Sequence, residues 1–181
     1  QARARLEAEG LPCAMVSYGS SPGTYFARSM QGITESRAGV YPFQDLFQAG
    51  LGACRIDDIA LTVLTTVIGH QPSKGWIMID AGWMALSRDR GTAAQDMDQG
   101  YGVVCDLQGH VLVDVIVSQA SQEHGILSIR PGSDKTMPDL PVGTRVRILP
   151  NHACATGAQY PDYHLVTAAG ATEVWPRFHG W

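Results

Sequence analysis

Ile59–Ile68, with the sequence IALTVLTTVI, is an unbroken run of aliphatic and β-branched residues. Val, Ile and Thr are enriched in strands because their branched side chains pack well on a pleated surface. The run therefore predicts a largely buried strand. It is far shorter than the roughly 20 apolar residues that a membrane-spanning helix needs.

Six further segments downstream have the same composition. They are Gly75–Ile79, Tyr101–Leu107, His110–Val117, Gly125–Ile129, Thr144–Leu149 and Tyr163–Val174. Turn sequences rich in Gly and Pro separate them, and in Arg145–Ile148 charged and apolar residues alternate, as in a strand with one face in water. The chain from Leu51 onward is therefore predicted to be a mostly antiparallel β domain, a barrel or a sandwich, with one short helix at Ala81–Arg88.

The first 50 residues follow a different pattern. Gln1–Gly10 is rich in Ala, Arg, Glu and Leu and ends in Gly, which predicts a surface helix with a glycine cap. Leu11–Tyr18 predicts a buried strand of a parallel sheet, Tyr25–Met30 a short helix and Ile33–Phe43 an extended segment. This is the element order of a βα barrel or a doubly wound sheet. Because the chain opens inside a helix and without Met, we expect further residues to precede it.

The composition excludes several classes of partner. The net charge is −4 and basic runs are absent, which argues against nucleic-acid or anionic-membrane binding.

Of the four cysteines, Cys13, Cys54 and Cys105 lie in apolar runs and are predicted to be free and buried. With no secretory signal in the sequence, we expect a cytoplasmic protein.

A histidine and a cysteine stand two positions apart in Pro150–Cys154, directly after a predicted strand. In an extended segment, residues i and i+2 point to the same side, so His152 and Cys154 could bind one metal ion. Imidazole and thiolate together suit zinc. The alternative is a hydrogen-bonded histidine beside a buried cysteine, and the spacing alone favours it, because structural zinc sites usually carry paired cysteines.

Ser17–Thr24, with the sequence SYGSSPGT, lies between a predicted strand and a predicted helix. Small residues at such a junction leave backbone N–H groups free to face an anion, and Ser20, Ser21 and Thr24 can add hydroxyl donors. The segment matches neither a Walker loop nor a dinucleotide fingerprint, so a plain turn is the alternative.

Weaker candidates accompany these two segments. Glu123 and His124 could transfer protons, with a solvated loop as the commoner explanation. Asp80 is predicted to cap the short helix that follows it. The remaining histidines have no evident partner in the sequence and are interpreted as structural: His70, His110, His164 and His179.

Together, five segments in this order resemble the D-threonine aldolase and D-serine dehydratase family, which are fold-type III pyridoxal-phosphate enzymes related to alanine racemase. The segments are Ser17–Thr24, Gly39–Asp45, Ile79–Gly82, Glu123–Gly125 and Pro150–Cys154. The resemblance implies a TIM-type barrel that holds the cofactor on a lysine, followed by a β domain that supplies a metal. Residues 1–50 would then be the last βα units of the barrel, and residues 51–181 the β domain.

The resemblance also implies a site and a reaction. Its metal ligands would be His152 and Cys154, with zinc favoured and manganese as the alternative. The substrate would be a β-hydroxy D-amino acid, which loses water in a dehydratase or is cleaved between Cα and Cβ in an aldolase; Cys154 favours a D-serine dehydratase-like activity. A homodimer is implied too. The implied cofactor-binding residues are Tyr18, Gly19, Ser20, Ser21, Gly23, Thr24 and Tyr41.

One feature departs from the family pattern. Lys74 and Lys135 are the only lysines, and both lie in turns of the β half rather than near the start of a barrel. Without the cofactor lysine, we predict that these 181 residues alone are inactive. Two other hypotheses remain: a non-catalytic β module that binds a metal or a partner, and a racemase relative with an incidental metal site.

Overall fold

The computed structural model describes residues 1–167, 170 and 172–178. In chain order the strands are β1 (Ser17–Gly19), β2 (Glu35–Arg37), β3 (Val63–Gln71), β4 (Trp76–Ile79), β5 (Gly102–Cys105), β6 (Val111–Ala120), β7 (Gly125–Ile129), β8 (Arg145–Pro150), β9 (Asp162–Val166) and β10 (Thr172–Pro176). The α-helices are α1 (Ala2–Ala8), α2 (Ser21–Tyr25), α3 (Leu46–Gly50), α4 (Trp83–Leu86) and α5 (Ala153–Gly157). Short 3-10 helices lie at Ile56–Asp58, Pro72–Lys74 and Gly91–Ala94.

The β half is a closed barrel of six strands in the order β3-β4-β7-β6-β5-β8. All neighbouring strands that pair are antiparallel, so the predicted antiparallel β barrel is confirmed. In β3 the burial alternates: Val63, Thr65 and Val67 face the interior, whereas Leu64 and Ile68 are exposed. Each predicted segment from Ile59 to Leu149 overlaps one barrel strand, although β3, β6 and β8 continue past the predicted ends, and α4 lies within the predicted short helix.

Two apolar clusters stabilise this half. The first fills the barrel, where Val67, Ile79 and Leu127 are completely buried. The second joins Leu46 of α3 to the outside of β5 and β8 through Val103 and Leu149. A buried aliphatic side chain contributes about 1.5–3 kcal/mol, so the two clusters hold the barrel and α3 together. The division of the chain at residue 50 stays a prediction.

Residues 1–40 form a small parallel unit, and here some predictions are wrong. The N-terminal helix is present as α1, followed by Gly10 with φ +77°. β1 and β2 are parallel, as the βα pattern predicts, but Leu11–Tyr18 is not a buried strand. Only Ser17–Gly19 is a strand, and it is exposed because β2 is its sole pairing partner in the part of the chain that the structure describes. Cys13, predicted to be buried in that strand, is only half-buried.

The helix after the glycine-rich turn begins earlier than predicted. It is α2, which ends at Tyr25, instead of Tyr25–Met30. Ser20 starts it, because its Oγ accepts a hydrogen bond from Gly23 N over 2.9 Å, and a proline stands in the first turn. Cys54 also departs from expectation: it is half-buried in a loop before the first 3-10 helix.

The last apolar run, Tyr163–Val174, gives two strands instead of one. Among the described strands, β9 and β10 pair with each other alone, as an antiparallel hairpin outside the barrel. Residues 168, 169 and 171 of this run, and His179, lie outside the described residues. None of the helices described has the length and apolar character to cross a membrane.

Candidate functional site

The predicted metal ligands lie where β8 ends and α5 begins. His152 is the extended residue before the helix, with φ −140° and ψ 109°, and Cys154 is in the first turn of α5. The expectation of one extended segment is therefore wrong at Cys154. The helix starts at Ala153 because the buried Asp45 carboxylate accepts a hydrogen bond from Ala153 N over 2.8 Å.

His152 has a carboxylate partner that the sequence analysis missed. Its Nδ1 lies 2.6 Å from Oδ2 of Asp89, and both side chains are partly exposed. A carboxylate only accepts, so Nδ1 is the donor, and in the neutral form of the ring Nε2 has a free lone pair. Metal-binding histidines typically have this arrangement, with the outer ring nitrogen donating to a carboxylate. No sequence signal connects the two residues, which are 63 positions apart.

Asn151 attaches the Asp89 loop to the end of β8. Its buried side chain accepts from Thr92 N over 3.0 Å and donates to the Gly100 carbonyl over 2.6 Å. Its own carbonyl accepts from Phe47 N over 3.1 Å. Asn151 therefore ties α3, the Asp89 loop and β8 together beside His152.

Cys154 is exposed and free. Desolvation of its sulfur and the negative charge of Asp45 raise the pKa of the thiol, so without a metal it is neutral near pH 7. Within the described ranges, no group of three or more His, Cys, Asp or Glu side chains is placed to hold a metal. Two side chains leave an ion with open positions, which suits binding of water or substrate rather than a purely structural site.

The glycine-rich turn is ordered by its own hydroxyls. Ser21 Oγ accepts from Val40 N over 3.2 Å, and Thr24 Oγ1 lies 2.9 Å from Ser36 Oγ. A side chain at position 23 would collide with the Tyr18 hydroxyl, so Gly23 is required for this close approach.

A cavity of about 290 Å³ lies beside this turn. Its lining includes Ser21, Thr24 and Tyr41 of the predicted cofactor residues, together with Gln44 and Gln48. The amide oxygens of both glutamines are buried and have no hydrogen-bond partner. A ligand or water in the cavity would satisfy them. Tyr18, Gly19, Ser20 and Gly23 shape the turn but are not part of the lining.

The weaker candidates make local hydrogen bonds. Glu123 accepts from Gln122 Nε2 over 3.1 Å in an exposed hairpin turn that also holds His124, consistent with a solvated loop. Asp80 does not cap α4, whose first residue follows Gly82. Its carboxylate instead accepts from Thr65 Oγ1 over 2.6 Å and from Thr66 N over 2.8 Å, which ties the end of β4 to β3.

Among the described residues, the lining of the cavity beside the glycine-rich turn includes no histidine and no lysine. His70 Nε2 is 2.8 Å from the Leu140 carbonyl, His110 pairs with Asp106 and His164 with Asp162. Each of these histidines therefore has a local partner, as a structural role requires. Lys74 stacks on the Trp76 ring at 4.4 Å, and Lys135 lies 3.7 Å from Asp134.

The fold superposes on an alanine racemase-like protein of Idiomarina loihiensis with a TM-score of 0.90 and 48% identity over 99% of this chain and 48% of that chain, which places the chain in the alanine racemase-like, fold-type III class. Residues 60–166 match the family model described as "Putative serine dehydratase domain". The chain belongs to this D-serine dehydratase family.

Two curated relatives support the assignment. D-threo-3-hydroxyaspartate dehydratase of Delftia sp. is 55% identical over 183 aligned positions, covering 100% of this chain and 48% of that protein. D-serine dehydratase of Dictyostelium discoideum is 31% identical, covering 90% of this chain and 42% of that protein. The chain thus spans about half the length of the curated relatives it matches.

Solved structures have the same fold. A cysteine-to-alanine mutant of D-threo-3-hydroxyaspartate dehydratase, in the metal-free form, superposes with a TM-score of 0.90 and 54% identity over 99% of this chain and 48% of that chain. A histidine-to-alanine mutant of that enzyme, changed two positions earlier, has a TM-score of 0.91. D-threonine aldolase of Filomicrobium marinum is more distant, with a TM-score of 0.68 and 25% identity over 96% of this chain and 43% of that chain.

Proposed function

We propose that this chain is the metal-bearing part of a pyridoxal-phosphate-dependent lyase that dehydrates β-hydroxy D-amino acids. The main evidence for this proposal is the 55% identity to D-threo-3-hydroxyaspartate dehydratase along the whole chain. In that relative the histidine and cysteine chosen for mutation are two positions apart, and the cysteine mutant is described in a metal-free form. His-x-Cys occurs once in this chain, at His152 and Cys154.

The two side chains suit a divalent metal. Nε2 of His152 is left free by the Asp89 hydrogen bond, and the Cys154 thiol is accessible. Zinc is favoured by this nitrogen and sulfur pair, with manganese as the alternative. The metal would supply Lewis acidity to a substrate β-hydroxyl. The raised pKa of Cys154 means that metal binding releases the thiol proton.

The cavity beside the glycine-rich turn suits the cofactor. Pyridoxal phosphate supplies an electron sink for a carbanion at the substrate Cα. Ser21, Thr24 and Tyr41 can donate hydrogen bonds to a phosphate, and the turn formed by Tyr18, Gly19, Ser20 and Gly23 holds them in place. The unpartnered amide oxygens of Gln44 and Gln48 only accept hydrogen bonds, so they would bind water or a donor group of a ligand rather than the phosphate itself.

The proposal includes the source of the cofactor lysine and the oligomeric state of the whole protein. Neither Lys74 nor Lys135 lines the cavity, so the lysine would come from residues outside this chain. We also propose that the whole protein is a homodimer. Dehydration is favoured over aldol cleavage because the more similar relatives are dehydratases.

The test is a substrate panel assayed with the full-length protein, loaded with pyridoxal phosphate and zinc. The panel contains D-threo-3-hydroxyaspartate, D-serine, D-threonine and their L enantiomers. A dehydratase releases ammonia and a 2-oxo acid, an aldolase releases glycine and an aldehyde, and a racemase only inverts Cα. Ammonia and 2-oxo acid from the D substrates are expected. Racemisation alone, or no turnover of any member, contradicts the proposal.

A further inference from the structure

Both oxygens of the Asp89 carboxylate have defined partners. Oδ2 accepts from His152 Nδ1 over 2.6 Å, and Oδ1 accepts from Gly91 N over 2.8 Å. The backbone N of Asp89 donates to Ser87 Oγ over 3.2 Å. The carboxylate is therefore held in one orientation before any metal arrives.

The loop that carries Asp89 is itself tightly constrained. Ser87 is buried and has φ +76°, a conformation that non-glycine residues seldom adopt. Thr92 is fully buried and donates its N–H to Asn151, the residue before His152. A side chain on Gly91 would crowd the Phe47 ring. The loop and the His152 backbone are thus fixed to the same point at the end of β8.

We propose that Asp89 is a positioning residue, which holds the His152 imidazole with Nε2 free to bind the metal. This inference rests on the proposed metal site. A carboxylate that is hydrogen-bonded to Nδ1 selects one tautomer and fixes the plane of the ring. It also makes Nε2 more basic and so a stronger metal ligand. Removing such a partner typically weakens metal binding by about 10–100-fold.

The chain offers a matched control. His110 and Asp106 form the same kind of pair over 2.9 Å, at the turn between β5 and β6. The His110 side chain is 80% exposed. D106A removes a carboxylate from a histidine without touching the metal site.

The experiment measures cobalt binding by the metal-stripped full-length protein. Wild type, D89A, D89N, D106A and H152A are titrated with Co²⁺, and the thiolate-to-cobalt absorption band gives both the affinity and the presence of Cys154 in the site. We expect wild type and D106A to bind equally, and D89A to bind about 10–100-fold more weakly. H152A should lose the band. In D89N the side-chain amide has one oxygen for the two donors, His152 Nδ1 and Gly91 N, so the cobalt affinity of this variant should also fall. D89N thus tests the inference even where D89A folds poorly.

A second readout is the tautomer of His152 in the metal-free protein, from ¹⁵N spectra at a pH where imidazole is neutral. Protonation at Nδ1 is expected in wild type and D106A, and its loss in D89A. If D89A and D89N bind cobalt like wild type while H152A does not, the inference about Asp89 is overturned and the metal site stands. If wild type itself does not bind cobalt, the proposed metal site fails, and this inference with it.

Discussion

Asp45 connects two helices through one buried carboxylate. Oδ1 accepts from Gln48 N in α3 over 2.9 Å, and Oδ2 accepts from Ala153 N in α5 over 2.8 Å. The side chain is fully buried, so neither helix end can turn to water if the carboxylate is lost. Asp45 thereby fixes the start of the helix that carries Cys154.

We predict that D45A lowers the free energy of unfolding by about 3 kcal/mol, since two buried N–H groups lose a charged acceptor. Guanidinium denaturation at 25 °C measures the change. The control is D58A: Asp58 caps a 3-10 helix by accepting from Arg55 N over 2.7 Å, but it is exposed, and its loss should cost less than about 1 kcal/mol. Similar losses in the two variants would show that Asp45 is not a buried link.

The buried thiol of Cys105 makes the free energy of unfolding depend on pH. Burial raises the pKa of its thiol to about 11, from 9.0 when the chain is unfolded. The folded state therefore keeps a proton that the unfolded state loses. Stability from this group is full below about pH 9 and falls between about pH 9 and 11, by about 1.4 kcal/mol for each pH unit. In C105A, denaturant midpoints measured across this range should fall less steeply than in wild type; parallel curves would refute the assignment.

At this scale the sequence identifies only residues close together along the chain. His152 and Cys154 are two positions apart and belong to one of the five segments that resemble the family. Asp89, and the Thr92–Asn151 hydrogen bond that positions its loop, depend on contacts 63 and 59 positions apart. Nothing in local spacing encodes such contacts, so only the folded chain reveals them.

Among the elements, the barrel strands were the most predictable. Alternating burial in β3 leaves a period of two in the sequence, and turn residues mark the strand ends. The predicted first strand, Leu11–Tyr18, is longer than β1, because an apolar composition does not show whether a neighbouring strand covers the segment. The start of α2 was missed because Ser20 acts as a cap only when its Oγ meets Gly23 N.

α5 stabilises α4 through a side chain, which leads to a test. Thr156 is fully buried, and its hydroxyl donates to the Leu86 carbonyl over 2.8 Å at the end of α4. T156V removes the donor but keeps the shape, so we expect a loss of about 1–3 kcal/mol in unfolding free energy. T172V, on the exposed strand β10, should change stability by less than about 0.5 kcal/mol. Equal midpoints for T156V and wild type would contradict this role.

At the scale of the whole molecule, the antiparallel barrel and the parallel arrangement of β1 and β2 match their predictions. The predicted burial of β1 does not, because all three of its residues are exposed. Fold class was predictable because strand composition changes between the two halves of the chain. The family was predictable only through several motifs in order, since no single segment of the sequence distinguishes a phosphate-binding turn from an ordinary one.

We predict that the 181-residue chain by itself does not turn over D-threo-3-hydroxyaspartate or D-serine. Lys74 ends a 3-10 helix and Lys135 lies in a loop, and neither is part of the lining of the cavity, so neither is placed to hold a cofactor there. Ammonia release by the pure chain with added pyridoxal phosphate and zinc measures this. Turnover above the rate without protein would mean that the lysine is dispensable.

The most direct test of the account is the rate of D-threo-3-hydroxyaspartate dehydration by the full-length protein before chelation, after chelation and after zinc is restored. If His152 and Cys154 hold a metal that assists loss of the β-hydroxyl, chelation should lower the rate by roughly 100-fold or more, and zinc should recover it. H152A should stay slow throughout. An unchanged rate in protein shown to be free of metal would contradict the central claim.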